Sequence, residues 1–481
     1  MQTHFDVIIV GAGISGISAA YYLQEQCPDK SFAMLEGRGS IGGTWDLFKY
    51  PGIRSDSDMY TLGFAFRPWT SRKAIADGED IMTYLHETKE ELGLEDKIKF
   101  HHMVKSAQWS SEQSTWTLGV SIAGHEEVQY YTCNFLSMCS GYYDYEQGYL
   151  PDYKGKDDYK GTFIHPQFWP EDLDYADKKI IVIGSGATAV TLVPQLAKKA
   201  EKVTLLQRSP TYIATAPSVD KIALWTKRIL PDGIAYNVSR CRKILVQRFS
   251  YAIARKYPNF MKKLIIAGVK KELGDDYDLR HFTPRYNPWD QRFCIVPDSD
   301  LFESIRTGKS EMVTDHIDSF TSSGIQLESG DHLEADIIVS ATGLQLKYLA
   351  GVEFQVDGKE IKGPDLVAYK SMMFSGVPNM ALAFGYTNAS WTLKCDLTNR
   401  YFAKMIKYMT KKGYKKAVPM VQDPDMELLP FLDFSSGYVQ RFIDQMPKSG
   451  TKAPWKLKQN YIFDRVTINM SKIDDGVMQF S

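Results

Sequence analysis

Near the start of the chain the apolar positions fall in a short continuous block. Asp6–Val10 (DVIIV) is followed at once by glycines and then by SAAYYLQEQ, whose apolar residues recur at helical spacing. A block so short and so rich in β-branched residues predicts a strand buried on both faces, as in a parallel sheet. A second strand, Ser31–Leu35, ends at Glu36. The same order returns at Lys179–Arg208, with KKIIVI as strand, GSGATA as loop, VTLVPQLAKK as helix and KVTLLQR as second strand. Between the two units, Val104–Val120 and Glu127–Leu136 alternate as antiparallel strands do, with SEQST marking a turn. Residues 214–286 carry a helical pattern broken by Pro231 and Pro258, and ADIIVS (335–340) is a further buried strand.

The glycines give the pattern its chemistry. Gly11, Gly13 and Gly16 lie between a strand and a helix, and Glu36 stands 20 residues beyond Gly16. Such glycines allow a tight turn and close approach to a pyrophosphate at the helix N-terminus, and the acid accepts hydrogen bonds from a ribose. Ser15 belongs to the same loop. The second loop runs Gly184, Ser185, Gly186, Ala187, Thr188, Ala189, with a small residue at its third position. Where Glu36 closed the first unit, the second has Gln207, then Arg208 and Ser209. A guanidinium pairs with a ribose 2′-phosphate, whereas an acid repels it. One site for FAD and one for NADPH follow. The predicted fold is α/β, with two Rossmann-like dinucleotide-binding domains and a helical insertion. The FAD-binding domain takes residues 1–145 and 340–481. Inserted in it is the NADP-binding domain, 146–213 and 287–339, itself interrupted by the helical region 214–286.

Composition narrows the function. The chain has 481 residues, with 57 Lys and Arg against 58 Asp and Glu. That balance excludes a dedicated nucleic-acid binder. The six cysteines are scattered without a C-x-x-C, so no metal site is expected, and neither is the dithiol of a disulfide-reducing flavoprotein. Flavin reduction by NADPH followed by reaction with O2 remains. Apolar runs are too short to span a membrane, and the first strand begins within a few residues of Met1, so a cytoplasmic protein without a signal peptide is expected. From 221 to 271 there are 13 Lys or Arg and one acid, Asp232. A solvated basic face is the plain reading, and a peripheral membrane contact the minority one.

YKGTFIHPQFWP (159–170) resembles the F-x-G-x-x-x-H-x-x-x-W-P fingerprint of type I Baeyer–Villiger flavoprotein monooxygenases, with Tyr159 in place of Phe. GGTW (42–45), YPGIRSD (50–56) and ATG (341–343) match further blocks of that family in order. GGTWDLFKYPGIRSDSDMYTLGF, YNPWDQRFCIVP and GYTNASWTLK are similar to the ethionamide-activating subgroup. The resemblance implies that Gly43, Thr44 and Trp45 pack against the flavin, with Tyr60 also reaching it. It places Asp56 beside the isoalloxazine and the catalytic arginine, and it aligns Arg292 with that arginine. Many members carry a lysine before the arginine; here Gln291 stands, which shifts weight onto Arg208. Gly161, His165 and Trp169 of the fingerprint are expected to serve structure, with Gly161 absorbing a hinge bend. Asn388, Ser390 and Trp391 are candidates for the substrate pocket.

The implied reaction inserts one oxygen beside a ketone carbonyl through a C4a-peroxyflavin, giving an ester or lactone, with oxidation of sulfides and thioamides besides. A fixed positive charge, Arg292, stabilises the negative charge that develops. The alternative is a flavin-containing monooxygenase restricted to N- or S-oxidation. A non-catalytic NADP sensor would need a defective glycine loop, and neither loop shows one. The small-molecule substrate itself and the oligomeric state are open.

Overall fold

Val7, Ile8, Ile9 and Val10 explain the first sheet. Val7 and Ile9 face one hydrophobic core, Ile8 and Val10 another, so strand β1 (Thr3–Val10) is apolar on both faces. In the computed structural model, which describes residues 3–291, 293–432 and 437–481, β1 is central to a nine-stranded sheet. It pairs in parallel with β2 (Phe32–Leu35) on one side. On the other lies β5 (Gln129–Met138), also parallel. β3 (His102–Ser110) and β4 (Thr115–Ile122) join β5 as an antiparallel meander. Trp109 and Trp116 pair directly across the predicted turn, both buried, with ring centroids 5.6 Å apart.

The second unit is a five-stranded parallel sheet centred on β8 (Lys179–Ile183), with β7 (Thr162–Ile164) at one edge. β9 (Lys202–Gln207) flanks it on one side and Ile337–Ser340 on the other. Helix α2 (Ala187–Leu196) covers one face, as α1 (Ile14–Gln26) does in the first unit. Ile180 and Val182 point to the core under α2, and Ile181 and Ile183 to the other. The chain passes between the units twice. Both passages meet in a short antiparallel ribbon of β6 (Tyr143–Gly148) and Leu344–Leu346.

Residues 221–273 form three helices: α3 (Lys221–Ile229), α4 (Asp232–Lys256) and α5 (Pro258–Leu273). Pro231 precedes α4 and Pro258 opens α5, where a missing N–H costs nothing. Arg240 of α4 is buried. It donates to the carbonyls of Tyr60 (2.7 Å) and Gly63 (2.8 Å) and stands 3.7 Å from Asp396. Helix α5 packs instead against Tyr212–Ala216 and Asp300–Arg306 of the second unit. Among the described residues no helix is long and apolar enough to cross a membrane.

Candidate functional site

Each glycine loop is shaped by a carbonyl that lies across it. Gly11 has φ +103°, and a Cβ there would stand 2.7 Å from the carbonyl oxygen of Cys139. Gly184 has φ +136°, and its Cβ would fall on the carbonyl of Ala341. In both units the chain leaving a neighbouring strand seals the turn, and only glycine fits beneath it. Gly16 is required by the Gly11 carbonyl, and Gly13 faces the backbone of Gly43. Gly16 and Ala189 are buried where helix meets strand.

One cavity of about 1140 Å³ joins the loops. Its walls include Gly11, Gly13, Ser15, Glu36, Gly43, Thr44, Trp45 and Asp56 on one side. Gly184, Ser185, Gly186, Thr188, Arg208 and Ser209 stand on the other. A single drug-sized ligand fills roughly 300–1,000 Å³, so this space exceeds one such ligand. Glu36 accepts from the backbone N–H of Ala12 (2.8 Å) and of Arg38 (2.9 Å), keeping lone pairs for a ribose. Burial pushes its carboxyl up, and those two N–H groups oppose the shift. Ser140 Oγ is buried in the lining of the same cavity and has no hydrogen-bond partner among the described residues. An orphaned hydroxyl beside a backbone cradle fits a dinucleotide.

The two sides touch at Tyr50, whose phenol is hydrogen-bonded to Thr188 and is pushed up to about 12 by burial. Ser185 Oγ accepts from Thr211 (3.0 Å). Arg208 is exposed, and among the described residues its guanidinium has no hydrogen bond or ion pair. Asp56 is also exposed, and among the described residues its carboxylate meets only the Ser57 hydroxyl, at 3.5 Å. Arg54, two residues earlier, is paired with Asp300. Arg292 lies outside the described residues; Gln291 and Phe293 beside it both line the cavity.

Two expectations need correction. Tyr60 does not line the cavity: its ring is buried 6.1 Å from that of Tyr236, beneath α4. The expected hinge glycine, Gly161, lies outside the left-handed region. It is glycine because a Cβ would meet the Asp336 carbonyl and the Tyr159 hydroxyl. Ser390 is buried against Thr61 (2.6 Å), while Asn388 and Trp391 do line the cavity. His165 has both ring nitrogens committed. Nε2–H donates to the Gly343 carbonyl (3.1 Å), and Nδ1 accepts from the Gln167 N–H (3.2 Å). Burial lowers its pKa, so the ring is a neutral strut. Trp169 is buried in the core of the second unit.

Other contacts of the site gave no signal in the sequence. Arg38 pairs with Asp46 (2.6 Å) and donates to the Gly43 carbonyl (3.2 Å), fixing the Gly43–Trp45 turn. Burial alone would raise the Asp46 carboxyl, but Ser40 and Arg38 hold it below its ordinary value. Trp391 stacks on Tyr142 and donates to Ser15 Oγ (2.9 Å), locking the start of α1 to helix α6 (Trp391–Lys412).

Two glycine-loop sites on one cavity define a two-dinucleotide oxidoreductase. The flavin-binding monooxygenase-like family matches residues 73–421, and an NAD(P)-binding Rossmann-like domain matches residues 9–72. The chain belongs to that monooxygenase family and is an FAD-containing, NADPH-using enzyme. It is 52% identical over 483 residues to the FAD-containing monooxygenase EthA of Mycobacterium tuberculosis, covering all of this chain and 98% of that one. A probable FAD-binding monooxygenase AlmA of Acinetobacter is 48% identical over 482 residues, covering all of this chain and 97% of its own. The open crystal structure of cyclohexanone monooxygenase shares the fold, with a TM-score of 0.77 over the whole of both chains at 20% identity.

Proposed function

We propose that this enzyme inserts one oxygen atom of O2 beside a ketone carbonyl, forming an ester or lactone, and that it oxidises sulfides and thioamides as well. Bound FAD, reduced by NADPH, supplies the oxygen chemistry. The chain's own residues position, shield and stabilise charge. On this reading residues 1–145 and 340–481 hold FAD, 146–213 and 287–339 hold NADPH, and 214–286 are the insertion.

Asp56 carries the reading. Its carboxylate faces the shared cavity without a cationic partner among the described residues, and Gln291 and Phe293, the chain neighbours of Arg292, line the same cavity. A carboxylate so placed orients a guanidinium, and a fixed guanidinium stabilises the negative charge that builds on a carbonyl oxygen under attack. Arg292 suits this because it stays protonated at any working pH. Cyclohexanone monooxygenase has been crystallised with cyclohexanone and with ε-caprolactone, a ketone and a lactone, which supports the same class here.

The test is product analysis by mass spectrometry with NADPH and O2, on aliphatic ketones together with an aryl sulfide and a thioamide. Ester formation is expected. Arg292→Ala is expected to lower it by about 100-fold or more while NADPH is still oxidised. Sulfoxide without any ester would replace this reading with N- or S-oxidation alone.

A further inference from the structure

Spacing of about one turn on the three inserted helices puts large apolar residues along their outer faces. On α4, Ile234, Val238, Cys241, Leu245, Phe249 and Ile253 follow one another at three- or four-residue steps, and all are exposed. That spacing is one continuous stripe of a helix, the pattern that normally faces a core. Helix α3 repeats it with Ile222, Trp225 and Ile229, and α5 with Phe260 and Leu264. Phe249 is 63% exposed and Phe260 60%. Between α4 and α5 the stripes leave an apolar groove of about 790 Å³. A solvated basic face therefore describes only half of this surface.

The other half is charge. Lys221, Arg228, Lys256, Lys263 and Lys271 are exposed and have no ion pair among the described residues. With 13 cations and one acid between 221 and 271, two copies meeting face to face would set like charge on like charge. An anionic lipid surface offers the complement to both features, apolar depth for the stripes and phosphates for the rim.

We propose that α3, α4 and α5 dock this enzyme peripherally on an anionic bilayer. Gln247 lies two residues from Leu245 and from Phe249, hence on the opposite side of α4, and it lines the dinucleotide cavity. One helix, about 10 Å across, separates the lipid-facing stripe from the reaction space. Apolar substrates dissolved in the membrane would enter beside it.

The test uses the FAD-loaded enzyme and co-sedimentation with vesicles. Phosphatidylglycerol-containing vesicles are expected to carry down at least ten times more protein at low salt than pure phosphatidylcholine, with the excess lost at high salt. Phe249→Glu and, on a second helix, Leu264→Glu should each cut binding at least ten-fold with FAD content and NADPH oxidation unchanged. An environment-sensitive fluorophore on Cys241, the exposed cysteine, should shift to the blue on addition of anionic vesicles. Absence of sedimentation at low salt, variants that bind as the parent does, or a fluorophore that reports burial from self-association before lipid is added would overturn the proposal.

Discussion

Arg208 and His165 show how two polar residues of one chain acquire opposite fates. Arg208 follows a strand, faces the cavity and has no partner among the described residues. A charged hydrogen-bonded pair with a 2′-phosphate is worth about 1.5–3 kcal/mol, so Arg208→Ala should raise KM for NADPH roughly 10- to 100-fold and leave KM for NADH unchanged. Steady-state kinetics with both nucleotides would show it, and an equal effect on both would remove Arg208 from the phosphate. His165 is spent on structure. Its folded pKa is depressed by burial, so as pH falls below about 6.5 the unfolded chain takes the proton first and stability drops. The stability gap between the parent and His165→Asn should therefore narrow from pH 8 toward pH 5 in urea unfolding. A constant gap would mean that the ring is not buried in its neutral form.

At the scale of elements, the glycine turns and one buried arginine decide most. Gly11→Ala puts a Cβ at positive φ against the Cys139 carbonyl, a strain of about 1–3 kcal/mol before any overlap is relieved. The expected result is loss of bound FAD, read from the flavin absorbance. Gly184→Ala should keep FAD and instead raise KM for NADPH. Arg240→Ala would strand Asp396 in the interior, and removing one partner of a buried pair typically costs about 3–5 kcal/mol. Denaturant unfolding would measure that cost; a loss below about 1 kcal/mol would show that water replaces the guanidinium. These elements differ in how readily they were seen. Strand, loop and helix around Gly11 and Gly184 were legible because glycine and apolar period are local signals. The burial of Tyr60 has no local signal, because Tyr236, far along the chain, decides it. Trp391 meeting Ser15 was invisible for the same reason: no periodicity encodes a contact between the two ends of a fold.

Across the whole molecule, the helical insertion belongs to neither unit alone. Arg240 fastens α4 to Tyr60 and Gly63 of the first unit, while α5 rests on the second. The sequence located the insertion and its charge but not this bridging, since exposed and buried faces of α4 are both apolar in part. The ribbon of β6 and Leu344–Leu346 bridges the units in another way. Gly148 on one strand lies under the His165 ring, whose Nε2–H holds the Gly343 carbonyl at the start of the other. Two passages bound edge to edge behave as one torsion bar. Turning one unit against the other would have to twist both strands, and the carbonyls of Cys139 and Ala341 that seal the glycine turns lie just upstream of them. The joint between the units thus begins at the two residues that seal the nucleotide turns.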